Sequence, residues 1–479
     1  MRANSIMRRA TGPARRTDDL VSALAALPLA ILLTAANAQD PAAPQPRPAA
    51  AQPTQAQSQI QAQPQVAITL DEAIHRAEAN EPSYASTSAE SRAAAIDRYI
   101  AKTTLLPSVV YHNQGLYTQP NGHSNSAGQV GDQPAPIFIA NNAVREYASQ
   151  AVVNESLGLA GTAAVRRADA AAARAAAELE IGHRGLVAAV SGLFYGSIAA
   201  DNRLSVAQRA LQEAVDFARL TQEREQARES AHADVLKAQL QEQQRRRELE
   251  DAQLDAEKAR LELGVLLFPD PRTPYTLAPG ILPPAMPTRE QAEQAAANNN
   301  PELNSALEAL KESSADVLAA RAAYLPDLGL NLSYGIDAPQ FAVNGPNPVK
   351  NLGYSASVTV DIPVWDWLAT PHKVKQSEIR RQAAQVALSA TQRQLIARFD
   401  EAYHEAATAR EQLESLESSV QTAAESLRLT RLRYTGGEAT VLEVVDAQTA
   451  YVTAANARED GMVRFQAARA DLQTLTGTM

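Results

Sequence analysis

Two stretches late in the chain alternate strictly between apolar and polar positions. Leu328, Leu330, Leu332 and Tyr334 share one side, with Gly329, Asn331, Ser333 and Gly335 opposite; farther on, Leu352, Tyr354, Ala356, Val358, Val360 and Ile362 share a side. A period of two is that of a strand, and each stretch has about the ten residues that a tilted membrane strand needs. Weaker alternation predicts two further strands over 108–118 and 143–156. The connections 119–142 and 336–350 are rich in Gly, Pro and Asn, as water-facing loops are. A different period follows each pair of strands. Leu388, Gln392, Leu395, Phe399, Ala402, Ala406, Ala409, Leu413, Leu416, Val420, Ala423, Leu427, Thr430 and Tyr434 are spaced alternately by three and four, a heptad seam. Leu186, Val190, Leu193, Ser197, Ala200, Leu204, Ala207 and Leu211 form an earlier one. A helix over 160–226 would measure on the order of 100 Å, too long for the interior of a compact domain.

The pattern occurs twice. Leu70-Asp71-Glu72-Ala73 through Pro82 is matched by Arg289-Glu290-Gln291-Ala292 through Pro301, and Leu106-Pro107 by Leu325-Pro326, both 219 residues later. Ala238-Gln239 matches Ala447-Gln448 at an offset of 209, as Leu204, Leu211 and Ala218 match Leu413, Val420 and Leu427. A repeat of this length makes one duplicated unit, with a first copy over 67–280 and a second over 281–479. The fold class is therefore mainly α with a β-barrel contribution of four strands per chain. Four strands cannot close a barrel, and an open edge in hydrocarbon leaves unpaired amides costing several kcal/mol each. Two chains would make eight strands; three would make twelve around a lumen, with six copies of the helical unit about one axis.

Composition narrows the chemistry. The 479 residues carry 44 basic and 54 acidic side chains, no cysteine and only 5% aromatics. The missing thiols exclude disulfides, Cys-ligated zinc, iron–sulfur clusters and thiol catalysis. The acidic balance, without a Lys/Arg stripe, argues against nucleic acid. Seven scattered His lack ligand spacing, so no metal and no cofactor is expected, and the absence of nucleophile-elbow, P-loop or dinucleotide fingerprints argues against an enzyme. Residues 1–38 read as an export leader: Arg2, Arg8, Arg9, Arg15 and Arg16, an apolar stretch from Leu20 to Leu33, then Ala36-Asn37-Ala38. Met7 is an alternative start. Loss of five Arg and two Asp with the leader would move the net charge from −10 to about −13. Residues 39–66, mostly Pro, Ala and Gln, read as a disordered tether. The two tryptophans, Trp365 and Trp367, stand where the last strand gives way to the long helix, the level of an interfacial aromatic belt.

These residues resemble the TolC-like outer-membrane efflux protein family. The resemblance rests on Leu70-Asp71-Glu72-Ala73, Glu81-Pro82, Leu106-Pro107 and Pro363-Val364-Trp365-Asp366, and most specifically on the turn motif from Tyr434 through Gly436-Gly437 to Glu443-Val444-Val445-Asp446-Ala447-Gln448. The first-copy turn departs by placing Arg228 where the family has Gly. The resemblance implies a homotrimer whose twelve-stranded barrel crosses the outer-membrane lipid of a Gram-negative cell and whose helical tunnel descends into the periplasm. A periplasmic adaptor and an inner-membrane pump would dock at its tip. It further implies a periplasmic mouth at the turns near 227–234 and 436–446, with Asp234, Glu443 and Asp446 as an acidic ring and Tyr434 as a possible hydrogen-bond partner of Asp234. Gly436 and Gly437 would supply positive φ, and Arg228 would be a surface or adaptor contact. The basic residue that follows the second-copy Gly in some relatives is absent from Glu438-Ala439-Thr440. A type I protein-secretion duct would share this architecture, and a pore-free periplasmic coiled-coil adaptor is the alternative of another class.

Overall fold

The structure is a computed structural model that describes residues 67–117, 145–278, 286–338, 340–345 and 350–477. The leader, the tether and the connection 119–142 lie outside these residues.

The first copy runs β1 (Ala67–Ile68), α1 (Leu70–Asn80), α2 (Pro82–Thr103), β2 (Ser108–Tyr117), β3 (Arg145–Leu157), α3 (Leu159–Gln226), α4 (His232–Leu267) and β4 (Thr276–Leu277). The second runs α5 (Arg289–Asn299), α6 (Pro301–Ala322), β5 (Asp327–Ala338), β6 (Leu352–Asp361), α7 (Ala369–Thr435) and α8 (Val441–Thr476). Paired helices agree closely: α1 and α5 have 11 residues each, α2 and α6 22, α4 and α8 36, and α3 and α7 68 and 67. At 1.5 Å per residue, α3 and α7 are each about 100 Å long.

Local chemistry sets the ends of the shorter helices. Thr69 and Thr288 cap α1 and α5 through their side-chain oxygens, and Gln291 completes a capping box with Thr288. A proline at the first position starts both α2 and α6, where its missing N–H costs no hydrogen bond. One ion pair recurs across the copies: Lys102 meets Asp169 at 3.2 Å, and Arg321 meets Glu378 at 2.7 Å, each residue at its repeat-equivalent position.

The four long strands form one antiparallel sheet in the order β2-β3-β5-β6. Facing pairs share a side of a sheet, so the register Tyr334↔Tyr354, Leu332↔Ala356, Leu330↔Val358 and Leu328↔Val360 makes one side apolar, joined by Val153↔Val109 and Ala151↔Tyr111. The opposite side carries Ser333 and Ser355, 2.8 Å apart, and Asn331, which donates to Asn154 at 2.6 Å. Among the described residues, both outer strands, β2 and β6, have one edge without a neighbouring strand.

The sequence pattern did not reveal the parallel pair β1–β4, which ties the start of the first copy to its end. Beneath it lies the main apolar cluster, including Ile68, Val190, Phe194, Leu263 and Leu267. In α7 the buried apolar residues all come from the predicted seam: Leu395, Phe399, Ala406, Ala409, Leu413, Leu427 and Tyr434. The earlier seam holds only in its upper part, through Leu186, Val190, Ser197 and Ala200; below it the buried positions become Val206, Ala210, Ala214, Phe217, Ala218 and Thr221. The reason is a second neighbour. Helix α3 packs against α8 as well as α4, so Val206 and Ala210 meet Val452 and Ala455 while Leu204 and Leu211 are only half-buried.

Candidate functional site

The helical hairpins α3–α4 and α7–α8 end in turns that match atom for atom at the repeat offset. In the first, the amides of Ala227, Arg228 and Glu229 donate to the carbonyls of Glu223, Glu225 and Arg224; in the second, those of Gly436, Gly437 and Glu438 donate to Leu432, Tyr434 and Arg433, all at 2.8–3.1 Å. This is the bonding of a helix ending on one left-handed residue. That residue is Gly437 in the second turn, at φ 81°, and Arg228 in the first, at φ 64°. Gly436 has φ −78° and supplies no positive φ, which corrects the expectation for that glycine: the turn needs one such residue, and it is the second.

The entries to the return helices differ too. Thr440 caps α8 and forms a capping box with Glu443, whose carboxylate also lies 3.4 Å from Arg433. The equivalent of Thr440 is Ala231, which has no side-chain oxygen and leaves α4 uncapped. Asp234, at the equivalent of Glu443, pairs instead with Lys237 at 3.6 Å. Asp446 is exposed and has no ion-pair partner among the described residues.

Tyr434 is buried, its ring 5.0 Å from that of Phe217, and its hydroxyl donates to Thr221 at 3.4 Å. Within the chain its partner is therefore on α3, not Asp234. Ala218, Ala238, Val441 and Val444 complete the buried part of this cluster between the two turns. The residue that joins the turns most directly is Arg224, which the sequence reading missed. Its guanidinium donates to the backbone carbonyls of Tyr434 at 2.6 Å and Thr435 at 3.0 Å, and lies 4.9 Å from the centre of the Tyr434 ring. A cation is well placed there, because the last carbonyls of α7 carry the negative end of the helix dipole. The cation expected after the glycine stands instead on the preceding helix, at Arg224, eight residues before the return helix starts at His232. Its only signal is the recurrence of arginine at Arg224 and Arg433.

At the far end of α7, Trp365 and Trp367 make an edge-to-face pair 5.8 Å apart, 68% and 85% exposed. Trp367 and Leu368 have positive φ. Asp366 accepts the amide of Thr370 at 2.6 Å and so caps the first turn of α7. Hydrogen bonds from the Thr370 side chain and backbone, the former the larger effect, hold the Asp366 carboxyl below its ordinary value of 3.8. No group of three or more metal-ligating side chains occurs among the described residues.

The chain is thus one duplicated unit, each copy a strand pair carried on a helical hairpin whose longer helix measures about 100 Å. The sequence model of the family described as outer membrane efflux protein matches residues 293–478. The match falls within the second copy, which the first copy repeats element by element. Among curated proteins, the chain is similar to protein CyaE of Bordetella pertussis (30% identical over 232 residues, 47% of this chain and 48% of the relative) and to outer membrane protein OprJ of Pseudomonas aeruginosa (26% over 172 residues, 36% of each). The matches span half or less of the length of these relatives. Among solved structures, the CmeC outer membrane channel of Campylobacter jejuni has the same fold, with a TM-score of 0.70 at 16% identity over 85% of both chains.

Proposed function

We propose that this chain is one third of a passive exit duct in the outer membrane of a Gram-negative cell, conducting small molecules delivered by an inner-membrane pump through a periplasmic adaptor. The carrying observation is the sheet: one apolar face and two unpaired edges, at the end of helices about 100 Å long. Such a sheet is stable in lipid only if β6 of one copy pairs with β2 of the next, and three copies leave a lumen. Its polar face, with Ser333, Ser355, Asn331 and Asn154, would line the pore, and Trp365 and Trp367 would mark the periplasmic membrane interface. At the other end, Asp234, Glu443 and Asp446, repeated threefold, would form an acidic constriction that favours cations. Asp446, with no ion-pair partner among the described residues, contributes most. Arg228, exposed on the first turn, would face the adaptor. The duct carries out no reaction of its own.

Expression in an outer-membrane-bearing host tests this. A heat-modifiable trimer in the outer-membrane fraction that conducts ions in planar bilayers is the expected result; a water-soluble protein overturns the reading. Hypersensitivity of a deletion strain to dyes and antibiotics is expected for small-molecule efflux, whereas retention of a secreted protein would move the assignment to protein export.

A further inference from the structure

The chain contains one complete seam between helical hairpins and the two halves of another. Within the chain, the first hairpin meets the second along α3 and α8. Arg224 closes that seam at the turn, and Arg184 donates to the Thr474 carbonyl at 2.9 Å higher up. The second seam would join α7 to α4, and its faces are bare. Ser415 and Ser419 are exposed where their equivalents Val206 and Ala210 are buried, and Leu236 and Leu240 are exposed on α4. Helix α2 shows the same vacancy. It buries no residue, and its Ile96 is 60% exposed where its equivalent on α6, Ala315, is 5% exposed. The arginines nevertheless recur: Arg393 stands at the position of Arg184 and Arg433 at that of Arg224, both exposed.

We infer that Arg433 is the clasp between copies of this chain, seating its guanidinium on the Glu225 and Gln226 carbonyls and the Glu225 carboxylate of the adjacent copy. The assignment rests on the trimeric reading above and follows from the repeat offset, which carries Tyr434 and Thr435, the acceptors of Arg224, onto Glu225 and Gln226. Those carbonyls end α3 as the others end α7, so the helix dipole favours a cation at both. The Glu225 carbonyl accepts the Arg228 amide at 2.8 Å, as the Tyr434 carbonyl accepts that of Gly437 alongside Arg224. In the isolated chain, Arg433 turns back on its own loop, donating to the Glu438 carbonyl at 3.1 Å.

The two clasps differ in kind. Where Arg224 lies over the aromatic ring of Tyr434, Arg433 would meet a carboxylate, which His232 already holds at 2.8 Å. Seams within a subunit are therefore closed by a ring and a buried cluster, and seams between subunits by an ion pair. Ion pairs at exposed sites weaken with salt, whereas apolar contacts do not.

The cysteine-free background makes the test direct. Gln226→Cys with Arg433→Cys, treated with a short bis-maleimide, should give covalent dimers and trimers, while Arg224→Cys with Thr435→Cys should link within the chain and remain at monomer mass. Arg433→Glu should raise bilayer conductance severalfold, and adding Glu225→Arg should return it to the parent level. A particle of trimer mass in which the 226/433 pair links no subunits, or in which the charge swap restores nothing, overturns this clasp and leaves the exit duct standing. A chain that never reaches trimer mass overturns the duct reading, and the clasp with it.

Discussion

The two hairpin turns share a backbone and are built from different residues. The second has glycine at its left-handed position and a threonine–glutamate capping box; the first has Arg228 and an uncapped Ala231. A left-handed non-glycine residue costs roughly 1–2 kcal/mol, and a missing N-cap about 1 kcal/mol. The first turn is therefore the softer by about 2–3 kcal/mol on local grounds. It keeps its shape because its partner holds it: Phe217 packs edge-to-face with Tyr434, and Arg224 bonds to the end of α7. Of two such turns, one self-sufficient and one dependent, the dependent one opens first, so amide exchange should be faster at 227–231 than at 436–440.

The largest disturbance of that comparison is removal of the tie. Arg224→Ala should cost about 2–3 kcal/mol, the worth of hydrogen bonds from a charged donor, read as a lower unfolding midpoint and as faster exchange at both turns. Exchanging the left-handed residues should come next. Arg228→Gly should gain about 1 kcal/mol and Gly437→Arg should lose roughly 1–2 kcal/mol, with opposite shifts in melting temperature. Equal shifts of one sign would mean that the turns are not equivalent. Reciprocal cap changes should be smaller: Ala231→Thr should stabilise by up to about 1 kcal/mol and Thr440→Ala destabilise by a similar amount, measured by denaturant titration. The smallest effect lies at the other end of α7. Because the Asp366 carboxyl is held below 3.8 in the folded chain, its capping contribution is present above that value and is lost as pH falls through the lowered one. Asp366→Asn should remove this acid sensitivity of the helix start, followed by exchange at Ala369 and Thr370.

Much of this was legible in the residues. Alternation at Leu328–Tyr334 and Leu352–Val360 marked the apolar sheet face, the heptad seam located the buried residues of α7, and the offset of 209 aligned the two turns and exposed Arg228 as a departure. Other features left no local trace. β1 and β4 are two residues each, too short for any period. The sheet order that sets β3 beside β5 depends on how the hairpins dock. The lower half of the α3 seam was misassigned because a heptad assumes one neighbour and that half of α3 has two, α4 and α8. Arg224 was overlooked because one arginine on a charged helix looks like any other until the end of α7 is seen beside it.

Sequence alone thus determined the period of each element, the duplication and the residue types at each turn, since these depend on local geometry and repeat along one chain. Tertiary structure decided which helix face meets which neighbour, where Tyr434 and Arg224 point, and which edges and faces stay open. Those outcomes depend on contacts between residues some two hundred positions apart, and no local pattern encodes them.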